Sequence, residues 1–154
     1  GQLFSGFETL LNSLDTVSFN LEMELTESVF ANDQELLIDF LRNIRQRGIK
    51  ISIDDFGTGY SSLQYLSKLP IDTIKVDKNF IQNIEHKINV AIIKAIFLFA
   101  STLNIKVIAE GIETKSQLQH LLDIASDYLG VPLFGQGYYL SKPISLSDFI
   151  KLLD

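Results

Sequence analysis

The sequence predicts an α/β fold with parallel strands, and three features carry that prediction. Segments that alternate apolar and polar residues are followed by segments whose apolar residues recur at helical spacing, in the repeating order strand, helix, strand, helix. Gly48, Pro70 and Gly111 punctuate the exchanges between them. Charged residues fall where the predicted strands end, on an otherwise apolar pattern. With 154 residues, 46% hydrophobic and 21% charged, the chain is long enough to bury one core and too apolar to be disordered.

The first strand is read from Val17 to Leu25, where apolar and polar residues alternate. Asn32 with Glu35 three positions on has the form of a capping box. It opens a helix with Leu36, Leu37, Phe40, Leu41 and Ile44 on its apolar face, stopped by Gly48. Ile49, Ile51 and Ile53 alternate with Lys50, Ser52 and Asp54 as a second strand, and strict alternation sends Asp54 and Asp55 to opposite sides of it. Gly57 and Gly59 then hinge a loop.

Ser61 to Lys68 reads as a short helix ended by Pro70, and Asp72 to Asp77 as the third strand. Ile88 to Leu103 is predicted to be a buried helix, too short and too interrupted by Asn89, Lys94, Ser101 and Thr102 to span a bilayer. Ile105 to Glu110 forms the fourth strand. Thr114 with Gln117 caps a helix running from Gln117 to Ile124, with Leu118, Leu121 and Leu122 inward. A fifth strand lies within Tyr128 to Tyr139, and Ser147 starts a final short helix.

A formal charge of -6 and a pI near 4.8 argue against a binding surface for a nucleic acid polymer, which needs a basic face. The lack of cysteine excludes disulfides, zinc-thiolate sites and thiol nucleophiles. Glu24, Asp54 with Asp55, Lys75 and Glu110 sit at the carboxyl ends of separate predicted strands, 30, 21 and 35 residues apart. Each spacing is one strand-helix unit, so these residues would converge on one rim of a parallel barrel, where such folds keep their active sites. An open doubly wound sheet is the other architecture that the alternation allows.

Carboxylates aimed at one point repel unless a cation neutralises them, and hard oxygen ligands suit Mg²⁺ or Mn²⁺ rather than zinc. His86 and His120, in a loop and within a helix, carry no ligation signal. Lys75 reads as a fixed positive charge for the attacking water or a phosphate oxygen, or as the partner of a salt bridge. A Schiff-base lysine, as in a barrel lyase, is a weaker reading, because acidic surroundings raise a lysine pKa.

Five motifs together resemble the EAL domain family: Glu24-Leu-Thr-Glu27-Ser, Asp54-Asp-Phe-Gly-Thr-Gly-Tyr-Ser-Ser62, Ile74-Lys75-Val-Asp77, Ala109-Glu110-Gly-Ile-Glu113-Thr, and Gln136-Gly-Tyr with Ser141-Lys-Pro143. The resemblance implies a TIM-barrel-type phosphodiesterase that hydrolyses cyclic di-GMP to linear pGpG in bacterial second-messenger signalling, in the cytoplasm, whether or not the full protein is membrane-attached. By that resemblance Glu24, Asp54 and Asp55 are metal ligands. Lys75, Glu110, Glu113 and Gln136 serve catalysis, Glu27 braces the loop after Asp55, and Asp77 and Pro143 meet the substrate.

The resemblance also has gaps. The Glu-Ala-Leu motif and an Asn-x-Ser strand, each a source of one family metal ligand, do not occur before Glu24. A barrel of about 250 residues gives roughly 156 for five of its eight strands. The 154 residues therefore fit the last five strand-helix units as a single domain, and Gly1 in place of Met suggests an excised piece of something longer. Asp127 to Gly135 is longer than the usual family connection by about six residues on this reading of the motif spacing. With two ligands missing, the isolated chain is expected to be inactive or impaired. Open sheet edges imply a homodimer or a covering partner. The alternative is a non-catalytic module that binds cyclic di-GMP or a protein.

Overall fold

Five parallel strands lie side by side in their order along the sequence: β1 (Glu22–Thr26), β2 (Lys50–Phe56), β3 (Thr73–Val76), β4 (Lys106–Ala109) and β5 (Leu133–Gly135). The structure is a computed structural model that describes Gly6 and residues 20–27, 29, 34–57 and 66–152. Between strands run α1 (Gln34–Gln46), α2 (Lys78–Gln82), α3 (Lys87–Leu103) and α4 (Lys115–Ala125), and α5 (Leu146–Lys151) follows β5. Sequential parallel order with helices between the strands is the arrangement of a barrel wall, and among the described residues β1 and β5 form its two edges.

Alternation along the strands divides the sheet into two faces. Ile51, Ile53, Ile74, Val76, Val107 and Ala109 join one hydrophobic core with Leu37, Leu41 and Ile44 of α1, Ile93, Ile96, Phe97 and Ala100 of α3, and Leu121 and Ile124 of α4. The other face carries Glu22, Glu24, Ser52, Asp54, Thr73, Lys75, Lys106, Ile108 and Phe134. Its middle, at Ser52, Thr73 and Lys75, is buried, while Phe134 at the β5 edge is half exposed.

Where the predicted elements fall on described residues they hold with shifted boundaries, and Val17 to Phe19 of the first strand lie outside those residues. Of the helix read from Ser61 to Lys68, residues 66–68 are described, with Leu66 helical and fully buried. Asn32 of the proposed capping box lies outside the described residues. The Thr114–Gln117 capping box is present, although α4 starts at Lys115. α3 is not wholly buried: Ile88 and Leu98 point outward, because one helical face is enough to meet the sheet. For the same reason Leu36 of α1 and Leu122 of α4 are exposed, and Ile124 takes an inward place. Ser145, not Ser147, starts the last helix, its hydroxyl accepting from the Asp148 amide. The sequence reading missed α2, a single turn capped by Asp77, whose carboxylate accepts from the Asn79 amide at 2.8 Å.

Asp72 staples the amino-terminal end of the sheet. Its Oδ1 accepts from Arg45 and Lys50, each at 3.3 Å, and its Oδ2 accepts from the Ile51 amide at 3.1 Å. Its own backbone joins Ile51 on one side and Lys106 on the other. Replacing it with alanine is expected to lower stability in urea denaturation by about 1 to 2 kcal/mol, with Asp72→Asn losing less because it keeps an acceptor.

Candidate active site

The site begins with an irregularity in β2. Ile53 pairs with Ile74 and Phe56 with Val76, so Asp54 and Asp55 together face the single residue Lys75. Two residues opposing one is a β-bulge, and here Asp55 sits at φ 52°, in the left-handed region that aspartate tolerates better than most residues. The bulge cancels strict alternation. Asp54 and Asp55 therefore do not point to opposite sides as the period-two reading predicts. Carboxylate oxygens of Asp54, Asp55 and Glu110 all lie within 4.8 Å of one another.

Lys75 reaches into this group from β3. Its Nζ lies 2.8 Å from Asp54 Oδ1, 3.0 Å from Glu110 Oε1 and 3.1 Å from Glu24 Oε1, so one ammonium ties carboxylates from three separate segments. Glu24, Asp54 and Lys75 lie within their strands on the face away from the helices, and Glu110 follows β4 directly. Burial pulls the Lys75 pKa down, but its bonds to Asp54, Glu110 and Glu24 more than reverse this and hold it above the usual lysine value. A folded-state pKa above the unfolded one means that the ammonium's stabilisation is complete at neutral pH and is lost only in strong alkali. A lysine paired with three carboxylates in this way lacks the lowered pKa that a Schiff-base role favours.

The donor set suits a hard divalent cation. Asp54 Oδ1 is shut off from solvent and meets the Lys75 ammonium at 2.8 Å. Three carboxylate oxygens converge, and neither histidine belongs to the cluster.

Around it the predicted residues take distinct places. Glu27 Oε1 accepts from the Gly57 amide at 3.0 Å, so Glu27 does bind the loop that follows β2. Gly57 is needed there: its φ is 99°, and a Cβ would stand 2.8 Å from the Phe80 ring. Asp77 caps α2 and stands close enough to Asp55 to raise its pKa. Glu113 turns to α2, where its Oε1 accepts from Gln82 Nε2 at 2.9 Å. Gln136 is exposed just after β5, its backbone N–H donating to the Ala109 carbonyl at 2.9 Å. This places it beside Glu110 despite the long connection before it. Within that connection Tyr128 stacks on Phe97 at 5.7 Å between ring centres, while Leu129 is exposed. Pro143 lies on the exposed stretch between β5 and α5. Sequence reasoning missed Gln82, because α2 was not predicted and no motif marks it.

Asp55 has a raised pKa, first through loss of hydration and then through the neighbouring charges of Asp54 and Asp77 and the Asp77 hydrogen bond, with Lys75 offsetting part of this. The folded protein thus holds this proton more tightly than the unfolded chain, so the Asp55 contribution lowers stability as pH rises above the ordinary value of 3.8. Asp55→Asn, which also accepts the left-handed backbone, is expected to raise Tm at pH 7 in chelator, with the gain vanishing near pH 3.5, roughly below the ordinary carboxylate range. Calorimetry across that pH range checks this.

Proteins of known structure share this fold. Residues 2–143 match the EAL domain. The chain is 41% identical over 134 residues to the cyclic di-GMP phosphodiesterase NbdA of Pseudomonas aeruginosa, covering 86% of this chain and 16% of that protein. It is 38% identical over 135 residues to the probable cyclic di-GMP phosphodiesterase PdeG of Escherichia coli, covering 87% and 25%. Among solved structures, the PaMucR phosphodiesterase in complex with c-di-GMP superposes with a TM-score of 0.79 at 36% identity, over 93% of this chain and 57% of that one. The manganese and cy-diGMP complex of BlrP1 from Klebsiella pneumoniae gives 0.73 at 29% identity, over 87% and 34%. The chain thus spans about one sixth of the length of NbdA and little more than half of the PaMucR structure. On a family match that runs through nearly its whole length, the chain belongs to the EAL domain family.

Proposed function

We propose that this chain is the carboxy-terminal part of a cyclic di-GMP phosphodiesterase domain, acting as one domain over residues 1–154. The observation that carries the reading is the convergence of Asp54, Asp55 and Glu110 around the Lys75 ammonium. Relatives named as cyclic di-GMP phosphodiesterases and structural neighbours bound to that nucleotide support the choice of substrate.

In this reading Glu24, Asp54 and Asp55 would hold Mg²⁺ or Mn²⁺, Asp54 and Asp55 from within the three-carboxylate cluster and Glu24 from beside it, joined through Lys75. When bound, the cation would supply Lewis acidity at the scissile phosphate. Glu110 orients the attacking water and takes its proton, while Lys75 keeps Glu110 and Asp54 in register and offers positive charge to the phosphate. The water oxygen bonds to phosphorus, the bond from phosphorus to the ribose 3′ oxygen breaks, and the proton passes to that oxygen. Linear pGpG results. In the same reading Gln136, which follows β5, hydrogen-bonds the water or substrate, and Pro143 meets the substrate.

The resemblance assigns two further ligands to motifs outside these residues, and loss of one supporting group commonly costs about tenfold or more in metal affinity. Purified chain is therefore expected to bind Mn²⁺ weakly and to convert little or no cyclic di-GMP, as read by titration calorimetry and chromatography of the nucleotides. Mn²⁺ binding that survives Asp54→Ala unchanged would sink the metal assignment.

Exposed apolar side chains concentrate after β4, at Phe134, Tyr138, Leu140, Leu146, Phe149 and Leu152. Such a surface, beside an open sheet edge, supports a homodimer or a covering partner. Light scattering is expected to give a dimer or larger, and a clean monomer counts against self-association.

A further inference from the structure

We infer that Gln82 is a positioning residue, which holds the loop 110–114 and through it the Glu110 carboxylate. The functional half of this inference rests on the metal reading proposed above; the mechanical half does not. The loop leaves β4 at Glu110 and must return to α4 within four residues, and it is fastened to α2 at three points. Gly111 is pressed against Lys78, with φ 72° and room for no Cβ, since one would stand 2.5 Å from Lys78 Cβ. Gln82 Nε2 donates to Glu113 Oε1 at 2.9 Å. Gln117 Oε1 accepts from the Glu113 and Thr114 amides at 2.8 and 2.9 Å, and its Nε2 reaches the Gln82 carbonyl at 3.5 Å.

α2 is in turn fixed at its other end, where the Asp77 carboxylate caps it by accepting from the Asn79 amide at 2.8 Å. The loop that carries Glu110 is thus braced by one capped turn of helix. Gln82 is its last residue and the only one of the five whose side chain amide meets the loop among the hydrogen bonds of the described residues. Groups that orient ligands in this way tune a site without touching the ion or the substrate.

Amide hydrogen exchange on the 154-residue chain tests this directly. Gln82→Ala is expected to speed exchange at 112–114 by about fivefold, the order expected for loss of one ordinary hydrogen bond, and to leave residues 50–56 unchanged. In a Glu113→Ala background the same substitution should add nothing, because its partner is already gone. A second readout is Mn²⁺ affinity, which should fall by about threefold to tenfold in Gln82→Ala and not further in the double variant. Unchanged exchange at 112–114 in Gln82→Ala, or equal acceleration in both backgrounds, overturns the inference. Should the unaltered chain bind no Mn²⁺, the metal reading fails, and the exchange result still decides the role of Gln82.

Discussion

A buried ammonium shared by carboxylates from three segments is the interaction on which the rest of this structure depends. Lys75 sits in the middle of the sheet, on the face away from the helices, where an unpaired charge would be costly. Glu24, Asp54 and Glu110 compensate it. Equally, these carboxylates could not lie so close together without a cation between them. Each sign of charge is therefore the condition for the other, and the group can form only when β1, β2, β3 and the end of β4 are in register.

The negative charge nevertheless exceeds what one lysine can balance. Asp55 stands at the edge of the cluster, with Asp54 and Asp77 both raising its pKa. A fold under selection for stability alone has little reason to place aspartate at φ 52° beside two others. Strain and repulsion concentrated at one point of an otherwise ordinary core is the pattern expected of a site kept for binding a cation.

Much of the architecture was legible in advance because the chain states it twice. Ile49, Ile51 and Ile53 mark a strand by their period, and Leu37, Leu41 and Ile44 mark a helix by theirs, and both patterns come from burial against the same core. Local chemistry was equally readable at Thr114 and Gln117, whose capping box needs only four consecutive residues. By contrast α2 is too short to display a period, and its cap at Asp77 looked like the end of a strand.

The sequence by itself determined the order of the strands, the charged residues that stand near their carboxyl ends, and membership of a family, since each depends on residue identity and spacing along the chain. Only the tertiary structure decided how those residues meet. Whether Asp54 and Asp55 diverge or converge depends on the pairing of β2 with β3, a contact between segments about twenty residues apart, counted over one strand-helix unit. Likewise Glu113 carries the same sequence motif whether it faces the carboxylates or Gln82. The motif fixes which groups are present, and the packing of α2 against the loop after β4 fixes the direction in which they point.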